Sequence, residues 1–153
     1  MPDFGAVPVP VDKIGKRYAP VTYTVGREKV REYAHSVGET EPLYLDLEAA
    51  RGAGYADLLA PPMFVVVYAG APFIAALFDP ELEIDFARLV HGAQEFRWAA
   101  PVVAGDEVTT TLTVGQINER AGLRFYTFET VSVNQRGETT CLGTWSTIVR
   151  GAQ

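Results

Sequence analysis

Apolar and polar positions change period along this chain, and the changes mark its elements. In EVTTTLTVGQ, Val108, Leu112 and Val114 alternate with threonines, which predicts a strand in a sheet with one packed and one wet face. Four segments have strand character, near 89–99, 106–119, 123–134 and 139–149, rich in Val, Thr, Phe, Tyr and Ile. Turn chemistry at 104–106 (AGD), 119–122 (ERAG) and 135–138 (QRGE) joins them, so consecutive antiparallel strands are expected. Upstream, VTYTV at 21–25 predicts a short strand and REKVREYAHSV at 27–37 a helix. DLEAARGAG at 46–54 predicts a short helix closed by glycine.

Between these lies LLAPPMFVVVYAGAPFIAALF, residues 58–78, with no charge. Pro61 and Pro62 keep helix out of its start, which leaves Met63 to Phe78, about 24 Å of helix at 1.5 Å per residue. A hydrocarbon core is about 30 Å thick, and the flanking Asp57, Asp79 and Glu81 are the wrong charges to fix a span. The alternative is a helix buried on all sides, wrapped by the sheet. The expected fold is therefore α+β: an antiparallel sheet around one long apolar helix, with residues 1–153 as a single domain.

The net charge of −6 argues against nucleic-acid binding, which needs a basic face to displace counterions. A small anionic ligand would require a local basic cluster. Cys141 is the single cysteine, so no internal disulfide can form and a reducing, cytoplasmic setting is expected. With His35 and His91 it makes no metal-ligand spacing, so no metal is expected, and the residues call for no cofactor. MPDFGAVPVPVDKIGKRY at the start lacks the apolar region of a secretion signal.

The stretch SVGETEPLYLD at 36–46, with LLAPPMF and the F-x-x-x-x-P-V-x-x-G-D pattern at 96–106, resembles the MaoC-like (R)-specific enoyl-thioester hydratases and (3R)-hydroxyacyl-thioester dehydratases. It looks like their N-terminal MaoC-like dehydratase domain, including HadA/HadC-type subunits of (3R)-hydroxyacyl-ACP dehydratases, and the resemblance implies a hot-dog fold. In that family an aromatic-bearing helix leads into Gly-Asp-x-Asn-Pro-Ile/Leu/Val-His, with a small residue six positions later. Tyr33 supplies the aromatic, Gly38, Pro42 and Leu43 match the frame, and Ala50 is the small residue. Glu39 stands at the catalytic aspartate, Glu41 at the asparagine and Tyr44 at the catalytic histidine. The resemblance implies an acyl-CoA or acyl-ACP thioester as ligand. It also implies a homodimer, or a heterodimer in which one subunit brings the Asp/His pair and the other room for the acyl chain.

Dehydration of a 3-hydroxyacyl thioester moves one proton off C2 and another onto the departing hydroxyl, a task suited to imidazole near neutral pH. Tyr44, with an ordinary pKa near 10, is a poor base but a competent hydrogen-bond donor. Glu39 keeps the carboxylate on a longer arm, and a misplacement of about 1 Å can cost on the order of a hundredfold. The family's oxyanion donors are backbone amides at the start of the central helix, where Pro61 and Pro62 have no N–H. His91 is the candidate substitute base. Met63, Phe64, Val67 and Tyr68 are expected to line the acyl site, and Arg27, Lys29, Arg31 and Arg97 to meet the carrier's phosphates.

Each has an ordinary alternative: a solvated loop for Glu39 and Glu41, packing for Tyr44 and Tyr55, a surface histidine for His35, core for the apolar four and solvated faces for the cations. Three functions follow: an acyl-chain-holding subunit beside a catalytic partner, a self-sufficient hydratase using Glu39 with Tyr44 or His91, and a non-enzymatic acyl-thioester binding module. A thioesterase ranks last, since no carboxylate stands early in the central helix.

Overall fold

The structure is a computed structural model that describes residues 8–151; part of the N-terminal stretch read for a secretion signal lies outside them. Five strands, β1 (Val21–Thr24), β2 (Leu89–Trp98), β3 (Glu107–Arg120), β4 (Leu123–Val133) and β5 (Thr139–Arg150), form one antiparallel sheet in the order β1-β3-β4-β5-β2. Before it come helices α1 (Arg27–Ser36), α2 (Pro42–Leu45) and α3 (Leu47–Gly52). Ala121 and Gly122, with φ of 53° and 71°, turn β3 into β4. Two residues at positive φ give the hairpin turn whose twist suits the sheet.

Strand order corrects one expectation. β3, β4 and β5 run as neighbours, but β2 pairs with β5 rather than with β3. The reason is the connection after β2. Ala99 and Ala100 donate to the carbonyls of Thr140 and Thr139 (2.9 Å each). The chain then pairs with residues 58–60, and Gly105 N–H donates to Val25 O (2.8 Å) beside β1. It therefore crosses to the opposite edge of the sheet before β3 begins. Buried Asp106 holds this crossing by accepting from Val103 N–H (3.0 Å), Gln135 Nε2 (2.9 Å) and Arg136 Nη1 (3.1 Å).

The apolar run is not one continuous helix either. A 3-10 turn (Pro62–Phe64) leads into α4 (Val65–Tyr68), and α5 (Gly70–Leu77) follows after Ala69. Pro72 in the first turn of α5 has no N–H to return to Tyr68 O, and the helix breaks where that bond is missing. Burial is one-sided. Phe73 stacks on Trp145 (4.5 Å) and meets Phe128 edge-on (5.7 Å), whereas Ile74 and Phe78 remain 54% and 61% exposed. The sheet curls over one flank of the run and leaves the other open.

The two sheet edges differ. Beyond the short β1, residues 15–18 continue along β3: Gly15 N–H donates to Val114 O (2.7 Å), Val114 N–H to Lys16 O (2.9 Å) and Tyr18 N–H to Leu112 O (3.0 Å). This segment is anchored by Tyr18 Oη and Lys16 Nζ, both 2.5 Å from Asp79 Oδ2 at the end of the apolar run. Among the described residues no backbone pairs with the outer edge of β2, ten residues long and mostly exposed. No helix among them is long and apolar enough to cross a membrane.

Candidate functional site

The loop after α1 is fixed by its own hydrogen bonds. Gly38 at φ 75° reverses the chain, and Glu39 N–H closes back on Ala34 O (2.8 Å), a glycine-terminated helix end. Pro42 then opens α2, and Asp46 caps α3 by accepting from Glu48 N–H (2.8 Å). Leu59 N–H donates to Leu43 O (3.0 Å), which ties α2 to the segment ahead of the apolar run. On its other side that segment meets the β2–β3 crossing, through Ala60 N–H to Val102 O and Ala104 N–H to Leu58 O (2.9 Å each).

These ties enclose a cavity of about 210 Å³. Pro61 and Pro62 form one apolar wall, Tyr44 and Tyr55 face in from the loop side, and Tyr68 and Thr140 stand between helix and sheet. Trp98 completes it from the end of β2, its Nε1–H donating to Pro62 O (2.7 Å). Phe64 N–H is spent on Pro61 O (2.8 Å) and the prolines have none, which leaves Met63 N–H as the entrance's remaining amide donor.

The chemistry of the lining is neutral. No carboxylate or imidazole is among the described residues that line the cavity. Burial pushes the Tyr44 phenol above its ordinary range, reinforced by the negative charges of Glu39 and Glu41 and by Tyr55. Burial pushes Tyr68 up further still, against a hydrogen bond with Thr140. Both phenols therefore stay protonated at neutral pH and serve as donors rather than bases.

The structure brings Tyr44 and Tyr68 to the cavity and leaves the other expected site residues outside its lining. Glu39 is exposed beside it, close enough for its charge to act on Tyr44. His91 is exposed on β2 opposite Thr147, seven residues before Trp98, or about 23 Å along an extended strand. Met63 is 43% exposed and Val67 partly buried, while Phe64 is fully buried with its ring edge-on to Tyr33 (5.4 Å).

Each of the four cations already has a carboxylate partner. Arg27 pairs in bidentate fashion with Asp57 (3.0 and 2.6 Å), Lys29 with Glu32 (3.2 Å) and Arg97 with Glu95 (3.2 Å). Arg31 pairs with Glu28 and also donates to Leu45 O (3.0 Å). Among the described residues no three His, Cys, Asp or Glu side chains are placed to hold a metal.

Tyr55, Trp98 and Thr140 line the cavity in addition to the residues expected from the sequence. The signal for Trp98 was present: an indole at the end of a predicted strand, two residues after the phenylalanine that opens the F-x-x-x-x-P-V-x-x-G-D pattern. Tyr55 and Thr140 carry no such mark, since they meet only through the tertiary fold.

Residues 12–142 match the family model described as "FAS1-like, dehydratase domain region". A UPF0336 protein of Clavibacter michiganensis subsp. michiganensis is 45% identical over 133 residues, covering 87% of this chain and 89% of that protein. One of Saccharopolyspora erythraea is 40% identical over 146 residues, 94% of each. Among solved structures, a chain of the C-terminally truncated HadBC (3R)-hydroxyacyl-ACP dehydratase complex from Mycobacterium tuberculosis superposes with a TM-score of 0.78. It is 28% identical, with 90% of this chain and 97% of that one covered. The R-hydratase PhaJ1 of Pseudomonas aeruginosa, 21% identical with a TM-score of 0.68 over 92% of this chain and 83% of its own, shares the fold. With an antiparallel sheet curled over a broken apolar helical run, this chain belongs to the FAS1-like dehydratase region family, on the hot-dog fold of the MaoC-like dehydratases.

Proposed function

We propose that this chain is the acyl-chain-holding subunit of a MaoC-like (3R)-hydroxyacyl-thioester dehydratase, working beside a subunit that supplies the Asp/His pair. One observation carries the reading: the cavity at the entrance of the apolar run is walled by proline, aromatic and hydroxyl groups and, among the described residues, holds no group able to take a proton at neutral pH. Such a site suits an acyl chain and its thioester carbonyl, while the proton transfers of dehydration need a base from elsewhere. Carrier phosphates, of CoA or of an acyl carrier protein, stay outside.

The test is calorimetric titration with saturated acyl-CoAs of increasing length. Affinity is expected to rise by about fourfold per methylene until the cavity is filled, each buried CH₂ contributing about 0.8 kcal/mol. Failure to bind any acyl-CoA or acyl-ACP, with or without a catalytic partner, would defeat the reading.

Partnership is supported by the unpaired outer edge of β2, since an open edge of that length is usually covered by another strand. The HadBC dehydratase complex, one chain of which superposes on this one, points the same way. Sedimentation at micromolar concentration is expected to show twice the 16.7 kDa of one chain, with the sheets running together through β2. Monomer alone would contradict it.

A further inference from the structure

We infer that the Tyr44 hydroxyl is the donor that binds the ligand's thioester carbonyl, in place of the backbone amides that Pro61 and Pro62 remove from the helix entrance. This rests on the acyl-thioester reading and assigns a residue within it. Tyr44 lines the same cavity as the two prolines, so its phenol and the amide-poor entrance face one space. A carbonyl oxygen brought there loses its water and must find a donor, and leaving it unpaired would be costly.

Three phenols line the cavity, and burial sets Tyr68 apart from the other two. Tyr68 is 3% exposed and part of the core, beside Thr140, whose own hydroxyl donates to Ser132 O (3.2 Å). Tyr44 Oη has no hydrogen-bond partner among the described residues, although its ring is packed into the wall and its backbone is held in α2. Burial and the nearby Glu39 and Glu41 keep the phenol protonated, the state in which it donates. Tyr55 lies alongside it on the loop flank of the cavity and is the natural comparison.

The test compares hexanoyl-CoA with S-hexyl-CoA, in which a methylene replaces the carbonyl. Tyr44→Phe is expected to weaken hexanoyl-CoA by about fivefold and to leave S-hexyl-CoA unchanged, the loss of one hydrogen bond read by ligand rather than by fold. Tyr55→Phe is expected to affect both ligands alike. In a bound ¹³C-labelled hexanoyl-CoA the carbonyl stretch should move to higher frequency in Tyr44→Phe. Equal weakening of both ligands by Tyr44→Phe, or selective loss in Tyr55→Phe instead, overturns the assignment. If wild-type protein binds neither ligand, the acyl-thioester reading itself fails and the assignment falls with it. Binding of both with an unmoved carbonyl stretch overturns the assignment alone.

Discussion

Glu39→Asp combined with Tyr44→His is expected to create hydration of crotonyl-CoA, about a hundredfold or more above either single substitution. The loop frame is already built: Gly38 makes the reversal, Pro42 opens α2, and position 44 faces the cavity. An imidazole there changes charge near neutral pH where a phenol does not, and general acid–base catalysis contributes about 10²–10⁴-fold. Aspartate shortens the carboxylate arm at position 39, where the exposed glutamate now lies outside the cavity lining. Each change supplies half of a pair that acts as a unit, so the singles should stay near background. Absence of gain in a folded double variant would move the defect to the entrance, where Pro61 and Pro62 lack amides.

Phe64→Ala is expected to cost about 3–5 kcal/mol of stability, the range for emptying a buried aromatic site. Phe64 is fully buried, with Tyr33 at 5.4 Å, Tyr23 at 6.2 Å and Tyr68 at 6.4 Å around its ring. The denaturation midpoint should fall without a change in slope. Met63→Ala, one residue earlier and 43% exposed, should move it by less than about 1 kcal/mol. The pair separates a core residue from an open one in a stretch that reads as uniformly apolar. A small cost for Phe64→Ala, with loss of ligand affinity, would instead place its ring in the ligand site.

The strands were legible to within a residue at each end because alternation of β-branched and polar residues directly records a half-buried sheet. Their neighbours were not. The order β1-β3-β4-β5-β2 depends on a crossing held by hydrogen bonds from residues 99–106 to three distant segments, and no local period encodes that. The exposure of Ile74 and Phe78 was hidden for a related reason: composition says that a helix will be covered, not by which chain. The loop at 38–44 could be aligned from its Gly and Pro frame, and Tyr44 does reach the cavity. The cations could not be judged in isolation. Arg27 looks available until Asp57, thirty residues away, is found opposite its guanidinium.

On the function proposed above, this chain holds an acyl thioester without supplying the base that dehydrates it. The most direct measurement is crotonyl-CoA hydration by the purified wild-type protein, with binding of hexanoyl-CoA followed on the same sample. Saturable binding with no hydration above background is expected, and hydration once a subunit carrying an intact Asp/His pair is added. Substantial turnover by the protein alone, abolished in Glu39→Ala or His91→Ala, would contradict it and make this chain the catalyst.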